Sequence, residues 1–174
     1  CYIVCHDDIN HMNSAAWERV FVSGSPGGTW SFNVSAVASV NGFAIEGWSG
    51  ATRTIIPPSP TDDGRGILAV STRDNGDGTW RYEYALFNVD SDRGFRSFSI
   101  PVRSATTITN VGFHAVASHG EPFSNAPWSF SRDSANIEWA TETFDENPGA
   151  NVLRWGMMYN FWFETDSDPG QVAA

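Results

Sequence analysis

The stretch from residue 66 to residue 102 constrains the fold more than any other part of the sequence. It reads GILAVSTRDNGDGTWRYEYALFNVDSDRGFRSFSIPV, three strand-like runs separated by two polar turns. In the middle run, aromatic and aliphatic side chains recur at every second position from Trp80 to Leu86, the spacing that places them on one face of a strand. The turn at residues 74–78 is dense in Asp, Asn and Gly, the residues of tight hairpins. The pattern predicts a β-meander over residues 66–102.

Further strand-like runs occupy most of the remaining chain. They are residues 15–23, 29–38, 40–48, 107–118, 128–131, 136–143 and 152–165. The last run is partly apolar on both faces, which is typical of a central strand. Short strands at regular spacing, with Gly, Pro, Asn and Asp between them, predict an all-β fold. We expect an antiparallel β-sandwich of about eight or nine strands, either immunoglobulin-like or a jelly roll.

A chain of 174 residues has the length of one domain. We expect a single β-sandwich domain over residues 1–168, in which residues 1–14 can form a separate N-terminal segment, followed by a linker or tail at 169–174. The sequence begins with Cys rather than Met and ends in a polar stretch that follows Pro169 and Gly170. We therefore expect a segment that was processed from a larger precursor.

Charge and composition exclude several functions. The formal net charge is −10, and all ten basic residues are Arg. Such an acidic chain lacks the basic surface that nucleic acids require, and without Lys it has neither Schiff-base chemistry nor a P-loop. Its longest apolar runs are far shorter than the roughly 20 residues of a membrane-spanning helix. No nucleophile motif or carboxylate pair stands out, which favours a non-enzymatic role.

Cys1, Cys5 and His6 resemble the attachment site of a c-type haem, in which two thiols bind the vinyl groups and His is the axial ligand. The usual spacing is C-x-x-C-H, and here one more residue separates the cysteines. Three alternatives remain open: incidental cysteines, a disulfide, or a lipid on Cys1. A disulfide requires a turn, because the ends of an extended segment of this length lie about 13 Å apart.

Two sets of side chains have the chemistry of metal ligands. The imidazoles are His6, His11, His114 and His119, and the oxygen donors for Ca²⁺ are Asp74, Asn75 and Asp77. The calcium pattern lacks the twelve-residue loop of an EF-hand. The alternatives are solvated surface residues for the histidines and simple turn formation for the Asx residues. The cofactor prediction is accordingly none, with haem c or calcium as alternatives.

The eight tryptophans divide by position. Four lie on apolar strand faces and are predicted core residues: Trp30, Trp80, Trp139 and Trp155. Trp48 and Trp128 lie beside loops, and we expect them to be exposed and able to stack on sugar rings.

Three segments together resemble the C-terminal region of a group of secreted bacterial proteins that have no assigned activity. The segments are DNGDGTWRYEYALFNVDSDRGFRSFSIPV at 74–102, TNVGFHAV at 109–116 and NVLRWGMMYNFWFETDSDP at 151–169. The resemblance covers about residues 64–169, with a weaker match at 13–20, and members often carry a sorting-type tail. It implies export, processing and a β-rich fold, and it assigns no functional residue.

These features predict an extracellular, non-enzymatic module of a larger cell-envelope protein with a structural or adhesive role. Its partners would be other envelope or matrix proteins or glycans, and exposed strand edges make self-assembly available. One alternative is a c-type haem electron carrier that uses Cys1, Cys5 and His6. The other is a metal- or calcium-dependent protein that acts on glycans.

Overall fold

A computed structural model describes residues 10–34, 39–58, 64–119 and 121–172. The chain divides into two compact units, Cys1–Ser49 and Gly50–Ala174, each of which is described by itself. The boundary between the units therefore lies at residues 49 and 50, far beyond residue 14. The predicted haem residues Cys1, Cys5 and His6 lie outside the described residues, as does the side chain of His11.

The protein is an all-β sandwich with antiparallel sheets, as the sequence predicts. The described residues form twelve strands: β1 (Ala16–Trp17), β2 (Val20–Ser23), β3 (Ser31–Val34), β4 (Val40–Asn41), β5 (Thr52–Ile56), β6 (Gly66–Asp74), β7 (Trp80–Asn88), β8 (Ser97–Pro101), β9 (Ile108–His114), β10 (Ser129–Arg132), β11 (Asn136–Ala140) and β12 (Met158–Thr165). The count exceeds the expected eight or nine partly because β1 and β4 have only two residues each. No helix in the described part of the chain is long and apolar enough to cross a membrane.

The first unit contains two small sheets, in which β1 pairs with β4 and β2 pairs with β3. The strand predicted at 40–48 ends at Asn41, because Gly42 adopts a φ of 118° and the chain continues into a 3-10 helix at Ala44–Gly47. The side chains of Phe43 and Ile45 are buried. By contrast, every residue of β2 and β3 is exposed.

The second unit contains a five-stranded sheet with the order β5-β6-β7-β12-β9 and a three-stranded sheet with the order β10-β11-β8. The prediction that the last strand is central is confirmed, since β12 lies between β7 and β9. The two sheets face each other across an aromatic core. Phe161 of β12 lies 4.7 Å from Phe98 of β8 and 5.5 Å from Trp139 of β11, measured between ring centroids.

The core of this unit draws large side chains from both sheets. Its buried members are Tyr82, Tyr84, Leu86, Ile100, Val102, Trp128, Ile137, Trp139, Leu153, Tyr159, Phe161 and Phe163. The alternating burial of β12 follows directly from its sequence, because Tyr159, Phe161 and Phe163 all point into the core and are fully buried.

The meander prediction is correct for its first hairpin and wrong for its third strand. β6 and β7 pair in register from Gly66–Asn88 to Asp74–Trp80. β8 instead joins the other sheet and pairs with β11. The edge of β7 that a meander would leave for β8 is paired with β12. The turn after β7 is held by the buried Asn88, whose Nδ2 donates to the carbonyl oxygens of Ser91 and Leu153.

Several tryptophan predictions are corrected by the structure. Trp139 is buried as predicted, and Trp80 is half-buried, but Trp30 and Trp155 are 47% and 44% exposed. Trp128, predicted to be exposed, is only 4% exposed and packs in the core. It therefore offers no surface for stacking on a sugar, whereas Trp48 is half-buried.

Candidate functional site

The second unit carries a surface groove whose lining includes three aromatic side chains, and we call it the aromatic groove. Its volume is about 710 Å³, and it is lined by Asp92, Arg93, Phe123, Phe144, Pro148, Val152, Arg154 and Trp155. A smaller cavity of about 210 Å³ shares Phe123 and Arg154 with it and adds His119 and Glu121. All of these residues lie on loops and turns that the two packed sheets support.

Phe144 is held by a hydrogen-bonded turn although its side chain is 75% exposed. The Glu146 carboxylate accepts hydrogen bonds from the backbone N–H of Thr143, at 2.9 Å, and from its hydroxyl, at 2.8 Å. These bonds hold the pKa of Glu146 below its usual range. The Asn147 N–H also donates to the Thr143 carbonyl, at 2.9 Å. The turn thus presents an apolar ring to water, and covering that ring with a ligand would be favourable.

Trp155 lies on a second tight turn, directly before β12. Gly156 adopts a φ of 74°, a conformation that favours glycine. Its N–H donates to the Asn88 carbonyl at 2.9 Å, and the Met157 N–H donates to the Arg154 carbonyl at 3.1 Å. The turn interrupts the alternation that made Trp155 look like a core residue, and it directs the indole to the groove.

Arg154 is one of three charged side chains that line the groove. Its Nη2 donates to the Ala150 carbonyl at 2.7 Å and its Nη1 to the Val152 carbonyl at 3.4 Å. The guanidinium carbon lies 3.4 Å from the centre of the Phe123 ring, in a cation–π contact. Partial burial lowers the pKa of Arg154, while Tyr159 and Glu121 oppose this effect. An arginine remains charged at neutral pH in spite of such a shift.

A buried hydrogen-bond network supports the groove next to Val152. Asn151 is 2% exposed, and its Nδ2 donates to the Ala126 carbonyl at 2.8 Å. Its Oδ1 accepts a hydrogen bond of 2.7 Å from the Tyr159 hydroxyl, and its carbonyl accepts one from Trp128 Nε1. Trp128 therefore helps to hold the loops that carry the groove.

The predicted calcium residues lie in the β6–β7 turn, where they form hydrogen bonds within the hairpin. Oδ1 of Asp74 accepts from the Gly76 N–H at 2.7 Å. Oδ1 of Asp77 accepts from the N–H and hydroxyl of Thr79, at 3.0 and 2.6 Å, and these bonds lower the pKa of Asp77. Asn75 Nδ2 donates to the same hydroxyl at 2.9 Å. Hairpin formation accounts for all three residues, and calcium binding stays a prediction.

Of the four predicted histidine ligands, the structure describes the side chains of two, His114 and His119. His114 is exposed at the end of β9, and His119 lines the smaller cavity with Glu121 and the cationic Arg154. Within residues 10–34, 39–58, 64–119 and 121–172, no three His, Cys, Asp or Glu side chains are grouped so that they could hold a metal ion.

The sequence prediction missed every aromatic residue of the groove. Phe123 and Phe144 lie in polar, loop-like parts of the sequence. A position beside a loop, which predicts exposure for Trp48 and Trp128, predicts exposure for these two phenylalanines as well. Trp155 was assigned to a strand face, although the Gly that follows it signals a turn.

Comparisons of the chain with protein-family models, curated proteins and solved structures found no match. The case for a function therefore depends on the geometry and chemistry of the aromatic groove.

Proposed function

We propose that the second unit is a non-enzymatic glycan-binding module of an extracellular protein and that the aromatic groove is its binding site. One observation carries the proposal: the rings of Phe144 and Trp155 are 75% and 44% exposed in one groove, on turns that are fixed by hydrogen bonds. Exposed apolar patches of this kind mark binding sites on folded proteins.

The chemistry of the groove suits a sugar. A pyranose ring has an apolar face of C–H groups that packs on a flat aromatic ring, while its hydroxyl groups require hydrogen-bond partners at the ring edge. Phe144 and Trp155 supply the flat surfaces, and Asp92, Arg93 and Arg154 supply charged hydrogen-bond groups in the same groove. The volume of about 710 Å³ lies within the usual range of small-molecule sites.

Binding is favoured over hydrolysis by the arrangement of acidic side chains. Glycosidases use two carboxyl groups that flank the scissile bond. Among the described residues that line the aromatic groove, Asp92 is the one carboxylate. The acidic charge and the resemblance to secreted bacterial proteins support an extracellular setting.

The proposal is tested by glycan-array screening of the native protein, followed by calorimetric titration of the glycans that bind. We expect Trp155→Ala and Phe144→Ala each to weaken binding by about thirtyfold, because central aromatic contacts contribute about 2 kcal/mol or more. Phe21→Ala is the matched control, because Phe21 is a comparably exposed aromatic residue in the first unit. A protein that binds no glycan, or that loses binding equally with Phe21→Ala, would contradict the proposal.

A second candidate function, a self-associating structural module, is favoured by the β2–β3 hairpin of the first unit. Val20 pairs with Val34, and Val22 pairs with Phe32, so that these four side chains share one face. They are 47–68% exposed, and the 47% exposed Trp30 continues the same alternation. In the described part of the chain no third strand joins this sheet. A second copy of the hairpin would cover the apolar face with an identical surface.

This candidate is tested by sedimentation velocity over a range of protein concentrations. We expect the wild-type protein to form dimers or larger species, and more of them at high salt, because salt screens the repulsion between chains of charge −10. The double variant Val22→Ser, Phe32→Ser should be monomeric. Phe21→Ser, on the opposite face of the same hairpin, should still associate. A wild-type protein that is monomeric at all concentrations would rule this candidate out.

A further inference from the structure

The aromatic groove has the opposite charge balance to the protein as a whole. The chain carries a formal net charge of −10, yet the ionisable side chains that line the groove are two cations, Arg93 and Arg154, and one anion, Asp92. Within the described chain, neither arginine forms a salt bridge. Glu121, in the adjoining cavity, interacts electrostatically with Arg154 but forms no salt bridge with it, so the groove holds two arginines without a salt-bridge partner and attracts an anion locally.

Arg154 is oriented in advance for such an anion. Two of its five N–H groups donate to backbone carbonyls, and its plane is fixed by contact with the Phe123 ring. The other three N–H groups have no acceptor among the described residues. A guanidinium fork matches the two oxygens of a carboxylate, and its fixed orientation reduces the entropy lost on binding.

Arg93 supplies a second set of donors from a different turn. It lies between Asp92 and Gly94 in the turn that follows β7, where the Gly94 N–H donates to the Ser91 carbonyl at 3.2 Å and Gly94 has a φ of 71°. Its side chain is exposed and lines the groove. Unlike Arg154, it donates no hydrogen bond to a backbone carbonyl of the described residues, so we expect its substitution to leave the loop structure intact.

We propose that the ligand of the aromatic groove is a glycan that contains uronic acid. The sugar ring packs on Trp155 and Phe144, and the ring carboxylate binds Arg93 and Arg154. This inference rests on the proposed glycan-binding function and adds the substrate class. A planar carboxylate attached to a sugar ring satisfies both halves of the groove at once, the aromatic surface and the guanidinium groups.

The test uses hexamers of galacturonate, glucuronate and mannuronate, each paired with its methyl ester, in calorimetric titrations of the full chain. Each pair shares one backbone and differs only in the charge of the carboxyl group. We expect at least one acid to bind about tenfold more tightly than its ester at low salt, as a charge-assisted hydrogen bond would give. High salt should reduce this preference.

Two variants separate the charge from the stacking surface. Arg93→Gln should lower affinity for the acid by a clearly larger factor than affinity for the ester, whereas Trp155→Ala should weaken binding of both by similar factors. Arg103→Gln is the matched control, since Arg103 is an exposed arginine outside the groove, and it should change neither affinity.

The outcomes distinguish the two proposals. Equal affinity for acid and ester, or binding of neutral or sulfated glycans in place of uronides, would overturn the uronic-acid inference and leave the glycan-binding function in place. Failure to bind any glycan would overturn both.

Discussion

At the scale of single residues, the Tyr159 hydroxyl connects the core to the groove. Tyr159 is completely buried, and burial raises the pKa of its hydroxyl, against a smaller effect of Arg154. The neutral hydroxyl lies 2.7 Å from Asn151 Oδ1 and 3.1 Å from the Val152 carbonyl. It thereby ties the central strand β12 to the loop that contributes Val152 to the groove.

We predict that Tyr159→Phe lowers the free energy of unfolding by roughly 1–3 kcal/mol, because the buried Oδ1 of Asn151 loses its donor. Urea denaturation monitored by tryptophan fluorescence measures the change. Tyr84→Phe is the control, since Tyr84 is also buried but forms no hydrogen bond with the described residues, and it should change stability by less than about 0.5 kcal/mol. Equal losses in the two variants would contradict the role of the Asn151 contact.

Single residues were also the hardest to predict from the sequence. Trp128 stands beside a loop in the sequence, but its indole N–H reaches the carbonyl of Asn151, 23 residues away. A local pattern contains no information on that contact, so the burial of Trp128 was missed. In the sequence, Trp155 fits the alternation of Leu153 and Met157. The left-handed backbone at Gly156 instead places Trp155 in a turn before β12.

At the scale of elements, local sequence patterns are enough to predict a hairpin but not to predict which sheet a strand joins. The middle strand of the predicted meander, with its alternation from Trp80 to Leu86, is β7. The turn chemistry of 74–78 fixes the register of this hairpin, because Asp74 and Asp77 accept the hydrogen bonds that close it. β8 joins the other sheet because the edge of β7 is already paired with β12, a strand that lies much later in the sequence.

The turn that presents Phe144 gives a prediction at this scale. Glu146→Ala removes the acceptor of both Thr143 donors, so that the ring must be ordered by the ligand on binding. We expect affinity for a bound glycan to fall by about threefold to tenfold, the cost of ordering one such segment. At neutral pH the midpoint of thermal unfolding should fall only slightly, because the hydrogen bonds of Glu146 stabilise one exposed turn.

Asp145→Ala is the control for this prediction. Asp145 lies in the same turn and carries the same charge, but it forms no hydrogen bond with the described residues. Titration calorimetry should therefore give wild-type affinity for Asp145→Ala. If both variants lose affinity equally, the negative charge of the turn and not its hydrogen bonds would be the cause.

At the scale of the whole molecule, the sequence predicts the fold class and the charge, whereas sheet order and the site arise from contacts between distant segments. One property of the whole molecule, the dependence of its stability on pH, follows from hydrogen bonds in several separate turns. Four exposed carboxylates accept hydrogen bonds in turns, and each has a pKa below its ordinary value: Asp77, Asp133, Glu146 and Asp166. The largest cause of the lowered pKa is a hydrogen bond from Thr79 for Asp77, from Ala135 for Asp133, from Thr143 for Glu146 and from Thr107 for Asp166.

These shifts predict how stability depends on pH. A carboxyl group with a lowered pKa in the folded state stabilises the protein at pH values above its unfolded pKa, and the contribution is lost as the pH falls through the folded pKa. The ordinary values are 3.8 for the three Asp and 4.5 for Glu146. We therefore expect the thermal midpoint to be nearly constant above about pH 5 and to fall steadily below about pH 4.

Asp133→Asn tests the mechanism of this acid dependence. Asp133 Oδ1 accepts from the N–H groups of Ala135 and Asn136, both at 2.7 Å. Asn keeps an acceptor oxygen but does not titrate, so the variant should unfold at a lower temperature than the wild type at pH 7. At a second, acidic pH calorimetry should give a smaller difference between the midpoints, because the wild-type carboxyl becomes protonated as the pH falls through its lowered folded-state pKa. A difference of the same size at both pH values would mean that packing, and not the charge of Asp133, stabilises this turn.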